Sequence, residues 1–315
     1  MISFDDLTYH LDLDKKIYVG YSGGPDSSAL LHLLYSNNIS NVEAIHINHN
    51  LSRNSKEWED HCKQTSKKLG IRCHVESVEI KIDGDGLESA ARKARYKIFT
   101  KYLKEGEQIL LGHHLNDKTE TFLLRLFRGT GTDGLQSLSV KRNVGVGYLV
   151  RPLINQTKDD ILFYLKENKI TYIKDESNLM EDQDRNYIRN IIIPSIEQRW
   201  IGVSSRISNT SDFIKSKNHT YDILFEEKFN HLISSKIKVR DLKEIKEPFL
   251  IDIIRRSIKR QNIAMPSKKV IQEIIKTFLN SRPGPKSEVS WSRADKEESG
   301  GKISYADKCI VIEKK

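Results

Sequence analysis

Gly20-Tyr21-Ser22-Gly23-Gly24-Pro25-Asp26-Ser27-Ser28 follows the apolar run Ile17-Tyr18-Val19 and precedes an apolar segment that begins at Ala29. This order predicts a strand, a loop and a helix. Two adjacent glycines allow positive φ angles and a close approach of the backbone to an anion. The N–H groups and the positive dipole end of the following helix attract negative charge. The stretch therefore predicts a phosphate-binding loop.

The side chains of this loop add donors and one carboxylate. Three serines supply hydroxyl groups, and Asp26 can hold Mg²⁺ against phosphates. No Walker A pattern occurs in the chain. The pattern Ser-Gly-Gly-x-Asp-Ser resembles the pyrophosphate loop of the N-type ATP pyrophosphatases, which cleave ATP between the α and β phosphates. The nucleotide-binding residues predicted in the loop are Ser22, Gly23, Gly24, Pro25, Asp26, Ser27 and Ser28.

The same stretch fits two other interpretations. Residues 20–24 also fit Gly-x-Ser-x-Gly, the nucleophile elbow of α/β-hydrolases. An elbow lies on a central strand, and the 16 residues before Ile17 are too few for the strands that would precede it. The other interpretation is a glycine-rich turn without a ligand.

Strand-like and helix-like segments alternate after the loop. The predicted strands are 42–48, 72–78 and 108–112, and the predicted helices are 58–69, 87–103 and 118–128. This alternation predicts an α/β fold with a doubly wound, mostly parallel sheet. Ligands of such sheets bind outside the carboxyl ends of the strands.

The chain divides into an α/β half and a basic half. We predict a catalytic domain with a helical extension over residues 1–215, and a smaller, mainly helical domain over 216–315 with a terminal hairpin near 308–312. Residues 213–286 hold 17 Lys and Arg against 8 Asp and Glu, and this excess equals the net charge of the whole chain, +9. Such a distribution suits a domain that binds a polyanion. An ordinary solvated helical surface is the alternative.

The chain lacks the sequence features of exported and membrane proteins. No segment approaches 18 consecutive apolar residues, and the first residues lack a basic and apolar secretory signal. The three cysteines, Cys62, Cys73 and Cys309, do not form a disulfide or redox pattern. We therefore expect a cytoplasmic protein.

Further motifs follow the predicted strands in a fixed order. They are His46–Ser52, Ala91–Tyr96, Gly112–Thr121, Arg128–Leu135, Arg151–Leu153, Asp175–Asn178 and Arg185–Arg189. With the loop, this ordered set resembles the tRNA(Ile)-lysidine synthetases over at least residues 17–200. The chain departs from the family at Asn116 and Lys118, where the family usually has Asp and Gln. Longer members also carry a further C-terminal domain.

The resemblance implies a two-step reaction on the wobble cytidine of the isoleucine tRNA with a CAU anticodon. ATP adenylates the cytidine, and free L-lysine then displaces AMP to give lysidine. ATP and Mg²⁺ are the implied co-substrate and cofactor, no membrane is involved, and homodimerisation is left open.

The resemblance also implies roles for individual residues. The implied catalytic residues are Asp26, Arg92, His113, Asp117 and Arg185. Additional nucleotide-binding residues are Ile47, His49 and Gly112. The implied Mg²⁺ ligands are Asp26, Asp117 and Glu120. The implied tRNA-binding residues are Arg92, Arg95, Arg128, Arg185, Asn186, Arg189, Arg255 and Arg256.

Two rival functions remain open. One is another tRNA-modifying enzyme of the same superfamily, a thiolase, although such enzymes need paired or catalytic cysteines. The other is a tRNA-binding protein with an inactive nucleotide site, an interpretation to which Asn116 and Lys118 lend some weight.

Overall fold

A computed structural model describes residues 2, 7–80, 86–174, 183–292 and 299–315. The chain forms two compact units, Met1–Asn218 and His219–Lys315. The sequence placed this division at residue 215. The motif at 175–178 lies outside the described residues.

The first unit is built on a six-stranded sheet with the order β3-β2-β1-β4-β6-β5. Its strands are β1 (Ile17–Gly20), β2 (Val42–Asn48), β3 (Arg72–Ser77), β4 (Gln108–Leu110), β5 (Lys141–Val144) and β6 (Gly147–Val150). All neighbouring pairs are parallel except β5 and β6. The predicted doubly wound, mostly parallel sheet is thus confirmed, and its strand order reverses at β1, between β2 and β4.

Helices connect these strands and continue beyond them. They are α1 (Pro25–Ser36), α2 (Ser55–Lys68), α3 (Gly86–Tyr102), α4 (Leu115–Phe127), α5 (Lys158–Glu167), α6 (Asp184–Tyr187), α7 (Ile193–Arg199) and α8 (Val203–Phe229). A π-helical turn, Ile188–Ile192, lies between α6 and α7. The residues of α8 are divided between the two units.

Side chains of β1 alternate between two apolar cores. Ile17 and Val19 are buried with residues of α1 and α5, whereas Tyr18 is buried with Phe99 of α3. Successive side chains of a strand point to opposite faces, so a central strand must be apolar throughout. This burial fixes the loop after β1 at the carboxyl edge of the sheet.

The β5–β6 hairpin was not predicted. Its first strand is Lys-Arg-Asn-Val, and the first three of these side chains are exposed. An edge strand of this kind lacks the apolar alternation by which strands are recognised. The turn contains Gly145 at φ +57°.

The second unit combines helices with an antiparallel sheet. Helices α9 (Val239–Leu242), α10 (Glu247–Arg260) and α11 (Lys268–Phe278) accompany the strands β7 (Lys236–Lys238), β8 (Glu288–Trp291), β9 (Gly301–Ala306) and β10 (Cys309–Lys314). The strand order is β7-β10-β9-β8. The expected terminal hairpin is β9–β10, but it forms the centre of a four-stranded sheet whose short edge strands the sequence did not reveal.

None of the helices in the described part of the chain has the length and apolar character needed to span a lipid bilayer.

Candidate active site at the carboxyl edge of the parallel sheet

The loop after β1 requires glycine at position 23. Gly23 has φ +81°, a conformation that other residues rarely adopt. Its carbonyl accepts a hydrogen bond from the Ile173 backbone N–H at 2.8 Å. A Cβ atom at this position would lie 2.4 Å from Ile173 Cδ1 and 3.0 Å from Cys62 Sγ. The side chains of Ile173 and Cys62 therefore pack directly against Gly23 and hold the loop in place.

The serines of the loop fix its shape through hydrogen bonds. Ser27 Oγ donates to the Gly24 carbonyl and Ser28 Oγ donates to the Gly23 carbonyl, each at 3.1 Å. The hydroxyls of Ser22 and Ser27 are also 3.1 Å apart. Pro25 then begins α1, where its fixed φ favours the first helical position. These contacts pre-form the loop at the N-terminus of α1.

Gly112 brings the end of β4 against this loop. A Cβ atom at position 112 would lie 2.8 Å from the carbonyl carbon of Asp26 and 3.0 Å from its Cβ. Only a residue without a side chain allows this approach. Gly112 therefore sets the position of Asp26 relative to the histidines that follow β4.

We predict that Gly112→Ala disturbs the loop without unfolding the protein. The added methyl group meets backbone atoms that cannot move aside, and such overpacking costs about 1–3 kcal/mol. We expect at least about a tenfold weaker ATP affinity in a titration, since a small displacement of binding groups is costly. Gly131→Ala is the matched control, because nothing lies within 4 Å of its added Cβ. Equal ATP affinities of the two variants would contradict the prediction.

Asp26 presents a partly accessible carboxylate at the start of α1. Its Oδ1 accepts a 2.6 Å hydrogen bond from Lys158 Nζ, and the two side chains are 29% and 31% exposed. His114 Nε2 lies 3.7 Å from the same oxygen and 3.6 Å from Asp117 Oδ2. The carboxylates of Asp26 and Asp117 therefore converge on one imidazole ring.

Asp117 and Glu120 form a buried ion-pair network with two arginines. Arg185 donates to Asp117 Oδ1 at 3.0 Å and to Glu120 Oε2 at 2.9 Å. Arg189 donates to both oxygens of Glu120, at 2.6 Å and 2.8 Å. Burial alone would lower the pKa of both arginines, but the two carboxylates raise it. Both guanidinium groups are thus firmly charged.

The network changes the expectation for the metal ligands. The side chain of Glu120 is only 1% exposed, and both of its oxygens face guanidinium groups. Asp117 is buried and also accepts the His114 backbone N–H at 2.9 Å. Within the described residues, no group of three or more His, Cys, Asp or Glu side chains could hold a metal ion. Asp26 is the predicted ligand that keeps an accessible carboxylate.

His113 and His49 lie at the ends of β4 and β2. Burial lowers the pKa of His49 to about 4, with a further contribution from Arg95. Burial likewise lowers the pKa of His113. Each ring has a buried Nδ1 without a hydrogen-bond partner among the described residues. Both imidazoles are therefore neutral near pH 7.

Asn48 and Glu59 support the segment that carries His49. Asn48 Nδ2 donates to Glu59 Oε2 at 3.1 Å, and Lys63 and Lys56 contact Glu59 Oε1 at 2.6 Å and 3.0 Å. The hydrogen bonds from Lys63, Asn48 and Lys56 lower the pKa of Glu59 to about 2.

We predict a pH-dependent effect of Glu59→Gln on stability. Because the pKa of the folded state is depressed, the stabilising contribution of Glu59 is complete above its ordinary pKa of 4.5 and declines as the pH falls towards 2. The loss of unfolding free energy should be larger at pH 7 than near pH 3.5, as measured by denaturant titration. A pH-independent difference would contradict this assignment.

The two departures from the family pattern have structural partners. Asn116 Oδ1 accepts the Lys158 backbone N–H at 3.1 Å, at the first residue of α5. Lys118 is buried, and its Nζ contacts Asp212 Oδ2 at 2.9 Å. Asp212 also accepts the hydroxyl of Ser137 at 2.7 Å. Both residues thus organise neighbouring elements and do not disrupt the loop.

The remaining predicted residues fall into separate places. Ile47 packs against the core cluster that contains Phe99. Arg92 and Arg95 lie on α3, and Asn186 is buried beside Arg185 in α6. Arg128 is exposed and pairs with Asp184 at 3.3 Å.

Arg255 and Arg256 lie on α10 in the second unit. Arg256 is ion-paired with Asp222, and its guanidinium carbon is 4.4 Å from the centre of the Phe225 ring. The RNA contacts expected of Arg255 and Arg256 stay predictions.

Sequence reasoning missed Lys158, and it quoted Arg151 only as part of the motif Arg151–Leu153, without a role at the site. Arg151 directly follows β6 and is 2% exposed, with Nη1 donating to the Ser139 carbonyl at 2.6 Å. Both residues come shortly after a parallel strand, which is the position from which ligand-binding residues are expected. The unrecognised β5–β6 hairpin removed that signal.

Comparison with known proteins identifies relatives of this chain. A family model described as a PP-loop domain matches residues 3–196. The chain is 33% identical over 283 residues to a tRNA(Ile)-lysidine synthase of Legionella pneumophila (strain Lens), covering 89% of this chain and 65% of that protein. It is 36% identical over 274 residues to the enzyme of the same name from Buchnera aphidicola, covering 85% and 62%. The chain thus spans about two thirds or less of the length of these relatives.

A solved structure resembles the same part of the chain. It is the U34-tRNA thiolase NcsA from Methanococcus maripaludis, with a TM-score of 0.54 and 17% identity, covering 67% of this chain and 77% of that one. This likeness supports the fold alone. Because the PP-loop domain model covers the loop, the sheet and the arginine-bearing helices of the first unit, the chain belongs to the PP-loop domain family.

Proposed function

We propose that this protein ligates free L-lysine to C2 of the wobble cytidine of the CAU-anticodon isoleucine tRNA, with conversion of ATP to AMP and pyrophosphate. The observation that carries the proposal is the convergence of Asp26, at the head of the glycine loop, with the His114–Asp117 pair after β4. The relatives named tRNA(Ile)-lysidine synthase supply the substrate class.

The loop is suited to bind the phosphates of ATP. Its backbone is pre-formed by Ser27 and Ser28, and α1 directs its positive dipole end towards an anion. Lys158 adds an ammonium group beside Asp26. These groups would stabilise the charge that develops on the α phosphate and on departing pyrophosphate.

Asp26 is the residue that fits Mg²⁺. It offers hard carboxylate oxygens and is partly exposed, and Mg²⁺ is commonly held by one or two carboxylates together with substrate phosphates. Asp117 is buried and paired with Arg185, so its implied role as a second ligand stays a prediction. The ion would supply charge neutralisation on the phosphates.

His113, Arg92 and Arg185 would act on the cytidine and its adenylate. His113 stays neutral because burial lowers its pKa, so it is suited to orient substrate by a hydrogen bond more than to store a proton. In the second step the lysine amine forms a bond to C2, the C2–O bond breaks, AMP departs and the amine loses a proton. Arg185, held by Asp117 and Glu120, would present fixed positive charge to the activated nucleotide.

The basic second unit is proposed to bind tRNA. Arg255 and the Lys and Arg residues of 213–286 supply the positive charge. We also propose a cytoplasmic location, where ATP, lysine and tRNA meet. Homodimerisation stays a prediction for measurement in solution.

The thiolase alternative is disfavoured by the cysteines. Burial raises the pKa of the Cys62 thiol and of the Cys73 thiol. Cys62 and Cys309 are buried. A thiolase needs reactive thiolates or cluster ligands, which occupy accessible, electropositive positions.

The test is an incorporation assay with the purified protein, Mg²⁺, ATP, labelled lysine and an isoleucine tRNA transcript with the CAU anticodon. Digestion and mass analysis should reveal a cytidine heavier by lysine minus water. Conversion of ATP to AMP without lysine incorporation would overturn the substrate assignment and favour another acceptor. The absence of AMP would overturn the enzymatic proposal and favour a tRNA-binding protein with an inactive nucleotide site.

A further inference from the structure

Three guanidinium groups surround the phenol ring of Tyr96 in the first unit. Arg92 Nη2 donates to Tyr96 Oη at 3.2 Å, and the Arg92 guanidinium carbon is 4.9 Å from the ring centre. The Arg142 guanidinium carbon is 4.8 Å from the same ring centre. Arg151 acts electrostatically on the phenol from the strand end. We refer to Arg92, Tyr96, Arg142 and Arg151 as the Tyr96 cluster.

The backbone brings these residues together from three elements. Arg92 and Tyr96 are one turn apart on α3. Arg142 lies on β5, opposite Leu149 of β6. Arg151 follows β6, and its backbone N–H donates to the Val140 carbonyl at 2.8 Å. The hairpin therefore places Arg142 and Arg151 at one end of the sheet, and α3 packs against β5.

The charge of the cluster is not balanced from within the described part of the protein. No carboxylate of the described residues lies within ion-pair distance of Arg92, Arg142 or Arg151. Arg151 is 2% exposed, and its Nε has no hydrogen-bond partner among these residues. Burial lowers the pKa of Arg151 to about 10. Because unpaired buried charge is costly, an anion that contacts the cluster would be strongly favoured.

Tyr96 responds to the same field. Burial opposes ionisation of its phenol, yet Arg92 and Arg142 hold the pKa of Tyr96 below its ordinary value. The ring is also packed edge-on against Phe99, with centroids 6.0 Å apart. Tyr96 therefore serves as a fixed support that holds the arginines close together.

We propose that the Tyr96 cluster binds a phosphate group of the RNA backbone next to the target nucleotide. Guanidinium forks match phosphate oxygens in paired hydrogen bonds. Arg92 and Arg142 are exposed, whereas Arg151 is buried. A phosphodiester of a macromolecule can therefore reach the two exposed guanidinium groups. Arg151 and His113 follow the carboxyl ends of β6 and β4, which are neighbouring parallel strands, so the buried end of the cluster lies at the same edge of the sheet as the nucleotide site. The inference rests on the proposed function.

The test compares Arg142→Gln with Lys141→Gln. The two residues are neighbours on β5 with opposite facings, and Lys141 lies over Tyr148 instead, at 4.4 Å from its ring centre. Each variant loses one charge at almost the same place. Binding of the isoleucine tRNA transcript is measured over a series of salt concentrations, and ATP binding is titrated separately. Melting temperatures establish that both variants fold.

We expect Arg142→Gln to weaken tRNA binding at least about tenfold at moderate salt, as for one charged hydrogen bond, and to reduce the salt slope by about one. Lys141→Gln should change tRNA affinity less than about twofold. Arg142→Lys should restore part of the affinity, because it keeps the charge without the fork.

Three results would overturn the proposal. Equal losses of tRNA affinity in Arg142→Gln and Lys141→Gln would mean that the tRNA responds only to the total positive charge of this region. A loss of ATP affinity with unchanged tRNA binding would assign the cluster to the triphosphate. Unchanged binding of both ligands would mean that the cluster contacts neither. Failure of the proposed function gives a different result. It would appear as an unsubstituted protein that forms no lysidine, whereas the phosphate site is judged by the selective loss of tRNA affinity in Arg142→Gln.

Discussion

Asp26→Asn is expected to abolish AMP and pyrophosphate formation while the protein remains folded. The substitution keeps the size of the side chain and removes the negative charge at the head of α1. Loss of a single preorganised electrostatic group in an active site costs about 10²–10³-fold in turnover, and loss of a metal contact would add to this. Lys158 would lose its ion-pair partner, but both side chains are partly exposed, so little stability is at stake.

The measurement is pyrophosphate release in the presence of tRNA, with the melting temperature recorded for the same sample. Asp60→Asn is the matched control, because Asp60 is exposed on α2, where its carboxylate lies 3.8 Å from Lys56 Nζ. A Mg²⁺ titration distinguishes the roles further: if Asp26 holds the ion, the variant should require more Mg²⁺ for its residual activity. Turnover equal to that of the control would defeat the assignment of Asp26.

Glu120→Gln is expected to destabilise the first unit by about 3–5 kcal/mol, the typical cost of breaking a buried ion pair by removing one partner. In the native protein Glu120 accepts three hydrogen bonds from Arg185 and Arg189. The glutamine amide would direct N–H groups towards one of these guanidinium groups, whose remaining carboxylate partner among the described residues is Asp117. For a unit of this size the melting temperature should fall by about 10 °C.

Thermal unfolding of Glu120→Gln is compared with that of Glu57→Gln, an exposed position on α2 that we expect to melt like the wild type. The double variant Glu120→Gln with Arg189→Gln tests the network directly. Its destabilisation should be smaller than the sum of the two single effects, because the second change removes a charge that has already lost Glu120 as its partner. Additive effects, or a shift of less than about 2 °C for Glu120→Gln, would contradict the assigned pairing.

The family and the fold of the first unit could be predicted because their signals are local. The loop from Gly20 to Ser28 lies between an apolar strand and an apolar helix. Gly23 has the positive φ that the sequence indicated, whereas Gly24 has φ −70° as the residue before α1. Asp117 and Glu120 are three residues apart, so a helix alone places them on one face. Alternation of strands and helices was sufficient for the doubly wound sheet.

Partners across the fold could not be predicted in this way. The pairing of Glu120 with Arg189 and that of Asp26 with Lys158 join residues 69 and 132 positions apart. Asn116 and Lys118 suggested a defective site when the sequence was considered alone. In the structure Asn116 contacts the Lys158 backbone and Lys118 contacts Asp212, so each of the two residues connects its helix to another segment of the fold.

The sequence by itself determined the loop, the order of the elements and the basic character of the second half, because glycine conformation, apolar periodicity and charge are properties of neighbouring residues. The tertiary structure alone decided that the Asp26 carboxylate stays accessible while those of Asp117 and Glu120 are neutralised by arginines. It also decided that Arg142 and Arg151 come together near Tyr96. Those outcomes depend on burial and on contacts between distant segments, since a charge has a defined role only when its surroundings and its partners are fixed.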